Sequence, residues 1–212
     1  MRLFVLGATG RTGVELVDLA LVRHQVTAFV RSPGKITRRD TRLAVVKGDV
    51  HKPEEVATAL AGHDAVISAL GPAPRQAIFG TTLMHDSATS TLRAMKSAGV
   101  RRFLVVSSAL LFPGGGPGVG FFRALINHHL RDSRRMEELV TESELEWTIA
   151  RPPRLIRTRD EGYRAEEGRL PVRLSVGASI SWRAVAGFLL DAVERQLYVR
   201  RIVGLVRHSA AK

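Results

Sequence analysis

The sequence predicts an α/β fold: a doubly wound parallel sheet with helices on both faces and a small C-terminal excursion on the substrate side. Three observations carry this reading. Short apolar runs alternate with longer amphipathic segments along the chain, the pattern of successive βαβ units. The runs are apolar without interruption, as suits strands buried on both faces of a parallel sheet. The first of them passes directly into three closely spaced glycines.

Taken in order, residues 3–6 read as the first strand, followed by Gly7-Ala8-Thr9-Gly10-Arg11-Thr12-Gly13. Val14, Leu16, Val17, Leu19, Ala20, Leu21 and Val22 then mark a largely buried helix. Residues 26–30 form a second strand ending at Arg31-Ser32-Pro33-Gly34, and residues 43–46 a short third one before Gly48-Asp49-Val50. Pro53 opens a helix, since proline fits the first helical position. Residues 65–67 are a fourth strand ending at Ala69-Leu70-Gly71, and residues 81–98 a helix stopped by Gly99. Residues 103–106 are a fifth strand ending at Ser107-Ser108. Residues 113–120 are too rich in glycine to be an element and are expected to form a loop over the site. Residues 121–143 read as one long helix, and residues 147–150 as a strand broken by Pro152-Pro153. Residues 156–172 are polar and unpatterned. Ser181 suits the N-cap of a helix through Arg195, and residues 202–206 are a last strand. With no repeat and no linker, residues 1–212 are expected to be one domain. Residues 1–150 form its core, and residues 151–212 complete the sheet and border the substrate pocket.

Composition excludes several classes. A chain of 212 residues buries enough surface to need no staple, and it has no cysteine, which removes disulfide frameworks, iron–sulfur sites and thiol nucleophiles. His128 and His129 have neither HxxxH spacing nor a carboxylate partner in sequence, so no metal is expected. No apolar run reaches the ~20 residues of a membrane span, and the first ten residues lack the features of a signal peptide. A cytoplasmic protein with no membrane partner is expected. The net charge of +12 comes mostly from arginine, spread as +7 over residues 1–106 and +5 over residues 107–212. The nearest approach to a cluster, Arg151, Arg154, Arg157 and Arg159, is interrupted by two prolines. This diffuse excess argues against a nucleic-acid partner and suits recruitment of a small anionic ligand.

The chemistry sits at the first glycine cluster. Small residues there allow a tight turn, a close backbone approach to a pyrophosphate, and packing of helix against strand. The helix then offers free N–H groups and its positive end to the phosphates. Following a strand and opening a βαβ alternation, the cluster identifies a Rossmann-type dinucleotide site. Arg31 closes the second strand, where NAD enzymes carry an acid for the ribose 2′-hydroxyl and an arginine suits a 2′-phosphate. No acid lies between Asp18 and Asp40. The cofactor is expected to be NADP(H).

Gly7-Ala8-Thr9-Gly10-Arg11-Thr12-Gly13, Val30-Arg31, Gly48-Asp49-Val50, Ala94-Met95-Lys96 with Gly99-Val100, Val105-Val106-Ser107-Ser108, and Trp147-Thr148-Ile149 with Arg151-Pro152-Pro153 occur in family order. Together they resemble the atypical short-chain dehydrogenase/reductases with an NAD(P)H-binding (NmrA-like) domain, most nearly the bilin and flavin reductases among them. The resemblance implies that Gly7, Thr9, Gly10, Arg11 and Thr12 hold the pyrophosphate and Arg31 the 2′-phosphate. It implies further that Asp49 and Val50 meet the adenine, and Ala69, Leu70 and Gly71 the ribose and phosphates between. Pro152 and Pro153 would flank the nicotinamide with Ser107 beside them. Ser108 stands at the place of the family's active-site serine, although a strand-end cap is an equally simple role.

One departure matters. Many short-chain dehydrogenases carry Tyr-x-x-x-Lys on the helix after the fifth strand, whereas the matching positions here are His129 and Ser133. Alcohol–ketone chemistry therefore lacks its usual proton donor. A planar conjugated acceptor such as a flavin, bilin or quinone takes hydride at one atom, delocalises the charge and draws its proton from solvent. The expected function is NADPH-dependent reduction of such an acceptor by a monomer or weak homodimer. The alternative is a non-catalytic NADP(H)-sensing regulator. An isomerase using bound NAD is disfavoured by Arg31.

Overall fold

Alternation within each strand organises the computed structural model, which describes residues 1–158 and 160–208. In β1 (Arg2–Leu6), Leu3 and Val5 enter one apolar layer, and Phe4 and Leu6 enter the other. Helix α1 (Arg11–Ala20), strands β2 (Gln25–Val30) and β3 (Leu43–Lys47), helix α2 (Pro53–Leu60) and strand β4 (Ala65–Ser68) follow. A short helix α3 (Pro74–Phe79) and the longer α4 (Leu83–Ala98) lead to β5 (Arg102–Val106). Helices α5 (Pro117–Leu125) and α6 (Asn127–Glu142) precede β6 (Glu146–Arg151). The chain then forms β7 (Arg154–Ile156), β8 (Tyr163–Glu167), β9 (Ser179–Ser181), α7 (Trp182–Glu194) and β10 (Arg201–Arg207).

The main sheet has the order β3-β2-β1-β4-β5-β6-β10-β8, parallel throughout except for β8, which runs antiparallel to β10 at one edge. Helices α1 and α7 cover one face through Leu16, Val17, Phe188 and Leu189, and α2, α4 and α6 cover the other through Leu60, Met95, Met136 and Val140. The doubly wound α/β class is as expected. The order reverses at β1, so the connections leaving the adjacent β1 and β4 run to opposite faces of the sheet and open a crevice beyond their carboxyl ends. Strands β7 and β9 form a separate parallel pair that constitutes the excursion.

Four local expectations need correction. The helix over residues 121–143 is two helices, broken at Ile126, whose backbone (φ −110°, ψ 29°) is not helical. The glycine-rich stretch is only partly a loop. Pro117 stands in the first turn of α5 behind Gly116, and Val119 is buried with Phe112, Leu170 and Leu174. Helix α3 lies where the sequence marked no element, and none of its residues is buried. Residues 163–167 form an edge strand, with Tyr163 and Ala165 packed inward. Arg151 is mostly covered by its pairing with Glu137 rather than part of a basic surface, and Arg159 lies outside the described residues.

Candidate cofactor and active site

The nucleotide loop is built by backbone packed on backbone. Gly7 adopts φ +78°, and a Cβ there would stand 2.7 Å from the carbonyl carbon and oxygen of Ala69. A Cβ on Gly13 would stand 2.1 Å from the Gly7 oxygen. Neither place admits a side chain, so β1, the start of α1 and the end of β4 meet as closely as main chain allows. Gly10 is the N-cap of α1; its own N–H bonds Gly7 O at 2.9 Å, and no side chain caps the helix. No acid occupies the first turn. The free N–H groups and positive helix end therefore face the crevice uncompensated, as a diphosphate requires.

Gly7, Thr9, Gly10, Arg31, Val50, Ala69, Leu70 and Gly71 line one cleft of about 730 Å³, counted out to open solvent. Phe29, His51 and Leu83 line it too, although nothing in their local sequence marks them. Arg31 is exposed and makes no ion pair among the described residues. The remaining loop residues are placed differently. Thr12 is buried behind the loop, and Arg11 lies over the Trp182 ring, 4.9 Å from its centre. Asp49 is engaged in its own turn: its carboxylate accepts the His51 N–H at 3.0 Å, while its N–H donates to Glu55 at 2.9 Å.

Ser107, Ser108, Pro152 and Pro153 lie outside that cleft's lining, farther along the same sheet edge. The Ser107 N–H donates to Ala150 O at 2.7 Å, and the Ala109 N–H donates to Pro152 O at 2.9 Å, joining the ends of β5 and β6. Ser108 Oγ accepts the Leu110 N–H at 3.3 Å and caps one turn of 3-10 helix, Ala109–Leu111. Ser107 Oγ is buried and has no hydrogen-bond partner among the described residues. Arg123 donates to the carbonyls of Leu110, Phe112 and Gly114, which ties the segment after Ser108 to α5.

On α6, His129 Nδ1 lies 3.4 Å from Ser133 Oγ. Burial pushes the imidazole below its usual range against the opposing pull of Asp132. Asp132 is buried and accepts the N–H groups of Met84 and His85 at 2.9 and 3.0 Å, capping α4 from outside. Glu137 holds Arg151 in a buried bidentate pair, and Arg151 also lies 4.7 Å from the centre of the Phe112 ring.

Residues 7–196 match the family model described as NAD(P)H-binding. A 3-beta-hydroxysteroid dehydrogenase from Mycolicibacterium neoaurum is 33% identical over 126 residues, covering 54% of this chain and 34% of that protein. The chain thus spans about a third of that relative's length. Among solved structures, a short-chain dehydrogenase/reductase from Veillonella parvula in complex with NADP superposes with a TM-score of 0.79 at 20% identity, over 97% of this chain and 94% of that one. An anaerobillin reductase from Escherichia coli gives a TM-score of 0.79 at 19% identity, over the whole of both chains. At these identities the structural likeness establishes the fold. Among the described residues, no helix is long and apolar enough to cross a membrane.

Proposed function

Because the chain belongs to the NAD(P)H-binding family, we propose that it is an NADPH-dependent reductase of a planar conjugated acceptor, of the flavin, bilin or quinone kind. The observation that carries the reading is the cradle itself. An uncapped helix end with free N–H groups faces a cleft whose lining includes the uncommitted guanidinium of Arg31.

In this reading the N–H groups of residues 9–12 hold the diphosphate, assisted by the Arg11 side chain. Arg31 meets the 2′-phosphate and selects NADPH over NADH. Val50 and the Asp49 turn bound the adenine, and the backbone of Ala69, Leu70 and Gly71 lines the ribose side. Pro152 and Pro153 wall the nicotinamide, with Ser107 beside them. When bound, the reduced nicotinamide supplies the hydride. Ser108 orients the acceptor or the carboxamide from the strand end; no base is paired with it among the described residues, so it is not a nucleophile. The proton comes from solvent, since neither His129 nor Ser133 replaces a tyrosine–lysine pair.

The test is NADPH oxidation by the purified chain in the presence of FMN, a bilin, a quinone or a dye acceptor. Turnover with at least one planar acceptor, and preference for NADPH, are expected. Tight NADPH binding without turnover across the panel would replace this reading with a cofactor-sensing one.

A further inference from the structure

Arg11 is the one charged residue within residues 7–13, and it is exposed. It makes no ion pair among the described residues; its guanidinium carbon lies 4.9 Å from the centre of the Trp182 ring. The nearby acids are engaged elsewhere. Glu15, one turn along α1, pairs with Arg183 at 3.1 Å, and Arg183 also reaches Glu161 at 2.5 Å. The backbone of Trp182 is placed by a capped helix start. It opens α7 directly after Ser181, whose Oγ accepts the Ala184 N–H at 2.8 Å and donates to Asp160 O. Helix α7 packs against α1 through the apolar layer they share.

We propose that Trp182 is a positioning residue for the cofactor: its indole pre-orders Arg11 beside the nucleotide loop with the charge left free for the pyrophosphate. The inference rests on the NADP(H) reading above. A carboxylate would hold the guanidinium as well, but it would neutralise the charge and have to be displaced by the entering phosphates. An aromatic face attracts the cation through its quadrupole and leaves the guanidinium N–H donors available. Ordering a long side chain before binding removes a cost otherwise met on binding, equivalent to about 2- to 12-fold in affinity. The role works through Arg11 and requires no contact between indole and cofactor.

Calorimetric titration with NADP⁺ and with adenosine 2′-monophosphate, which lacks the pyrophosphate, tests this. Trp182→Leu should weaken NADP⁺ by about 2- to 12-fold and leave adenosine 2′-monophosphate unchanged, while Trp182→Phe should restore most of the loss. Arg11→Ala should weaken NADP⁺ at least as much, and adding Trp182→Leu to it should cost nothing further, because coupled residues lose their interaction only once. An equal loss for both ligands in Trp182→Leu would mark a structural role and overturn the proposal. A loss that persists in the Arg11→Ala background would mark direct contact and overturn it too, as would no loss at all. If Arg11→Ala binds NADP⁺ like the parent, the assignment of Arg11 fails; if the parent binds neither ligand, the NADP(H) reading itself fails.

Discussion

Replacing Gly13 with alanine should destabilise the protein even though alanine is the better helix former. Gly13 lies in the first turn of α1 with φ outside the left-handed region, so propensity alone favours alanine by about 0.5–1 kcal/mol. The added Cβ, however, would stand 2.1 Å from Gly7 O, 2.7 Å from its carbonyl carbon and 2.8 Å from Ala8 Cα. Close C···O contacts settle near ~3.3 Å, so α1 must retreat by roughly 1 Å from the loop. Every atom in the way is backbone, and no side chain can swing aside. Overpacking of ordinary cores costs about 1–3 kcal/mol, and a main-chain clash belongs at the top of that range. After the propensity gain the net loss is about 2 kcal/mol, or about 4–8 °C in Tm for a chain of this size. Gly187 in α7 is the control: a Cβ there meets nothing within 4 Å. Gly187→Ala should raise Tm by about 1–4 °C. Thermal melts of both variants in one buffer decide the matter, with NADP⁺ titration reporting whether the cradle is displaced in Gly13→Ala. A Gly13→Ala protein that melts at or above the parent would refute the close-packing argument and its account of the phosphate loop.

Four further outcomes follow from the same geometry. Arg31→Ala should reduce the preference for NADPH over NADH by about tenfold, the lower end for a charge-assisted pair because the side chain is exposed; comparative titrations of the two cofactors check it. Glu137→Ala strands the largely covered Arg151 and should cost about 3 kcal/mol in chemical unfolding, the lower end for a buried pair, whereas Glu137→Leu with Arg151→Met should recover most of it. Because burial lowers the His129 pKa, the unfolded chain binds its proton first as pH falls below the ordinary value near 6.5. Stability should therefore decline through that window, and His129→Gln should flatten the decline in denaturant midpoints taken across pH. Ser108→Ala should keep NADPH binding and slow single-turnover acceptor reduction by about tenfold, a loss of about 1.4 kcal/mol in the barrier.

Features set by local chemistry were legible in the sequence, and features set by distant partners were not. The strands of the inner sheet announce themselves because both of their faces are buried, as with Leu3 and Val5 on one side and Phe4 and Leu6 on the other. The glycine cradle is legible for a similar reason, since its constraint lies within a few residues. The break at Ile126 was masked by Phe121, Phe122 and Leu125, which imitate a core stripe while remaining exposed. Strand β8 shows only two inward residues, too short an alternation to stand out among charges. Among site residues, Phe29, His51 and Leu83 reach the cleft through tertiary placement, and Asp132 caps a helix that begins 49 residues earlier in the chain. No periodicity encodes such pairings.

Helix α6 explains why the chemistry should be undemanding. Where the resembled dehydrogenases carry an acid/base pair, its inward polar side chains are already engaged, Asp132 and Glu137 with neighbouring elements and His129 with Ser133 on the helix itself. Asp132 holds the amino end of α4, which brings Leu83 to the cleft. Glu137 fixes Arg151 at the end of β6, immediately before the prolines proposed to wall the nicotinamide. His129 is paired with Ser133 and disfavoured as a cation by burial, so little imidazolium is present at neutral pH to act as a proton donor. A helix committed in this way positions the cleft rather than titrating within it. That arrangement is what the proposed reduction requires, since an acceptor that spreads the incoming charge over its own ring system asks for no proton donor on this helix.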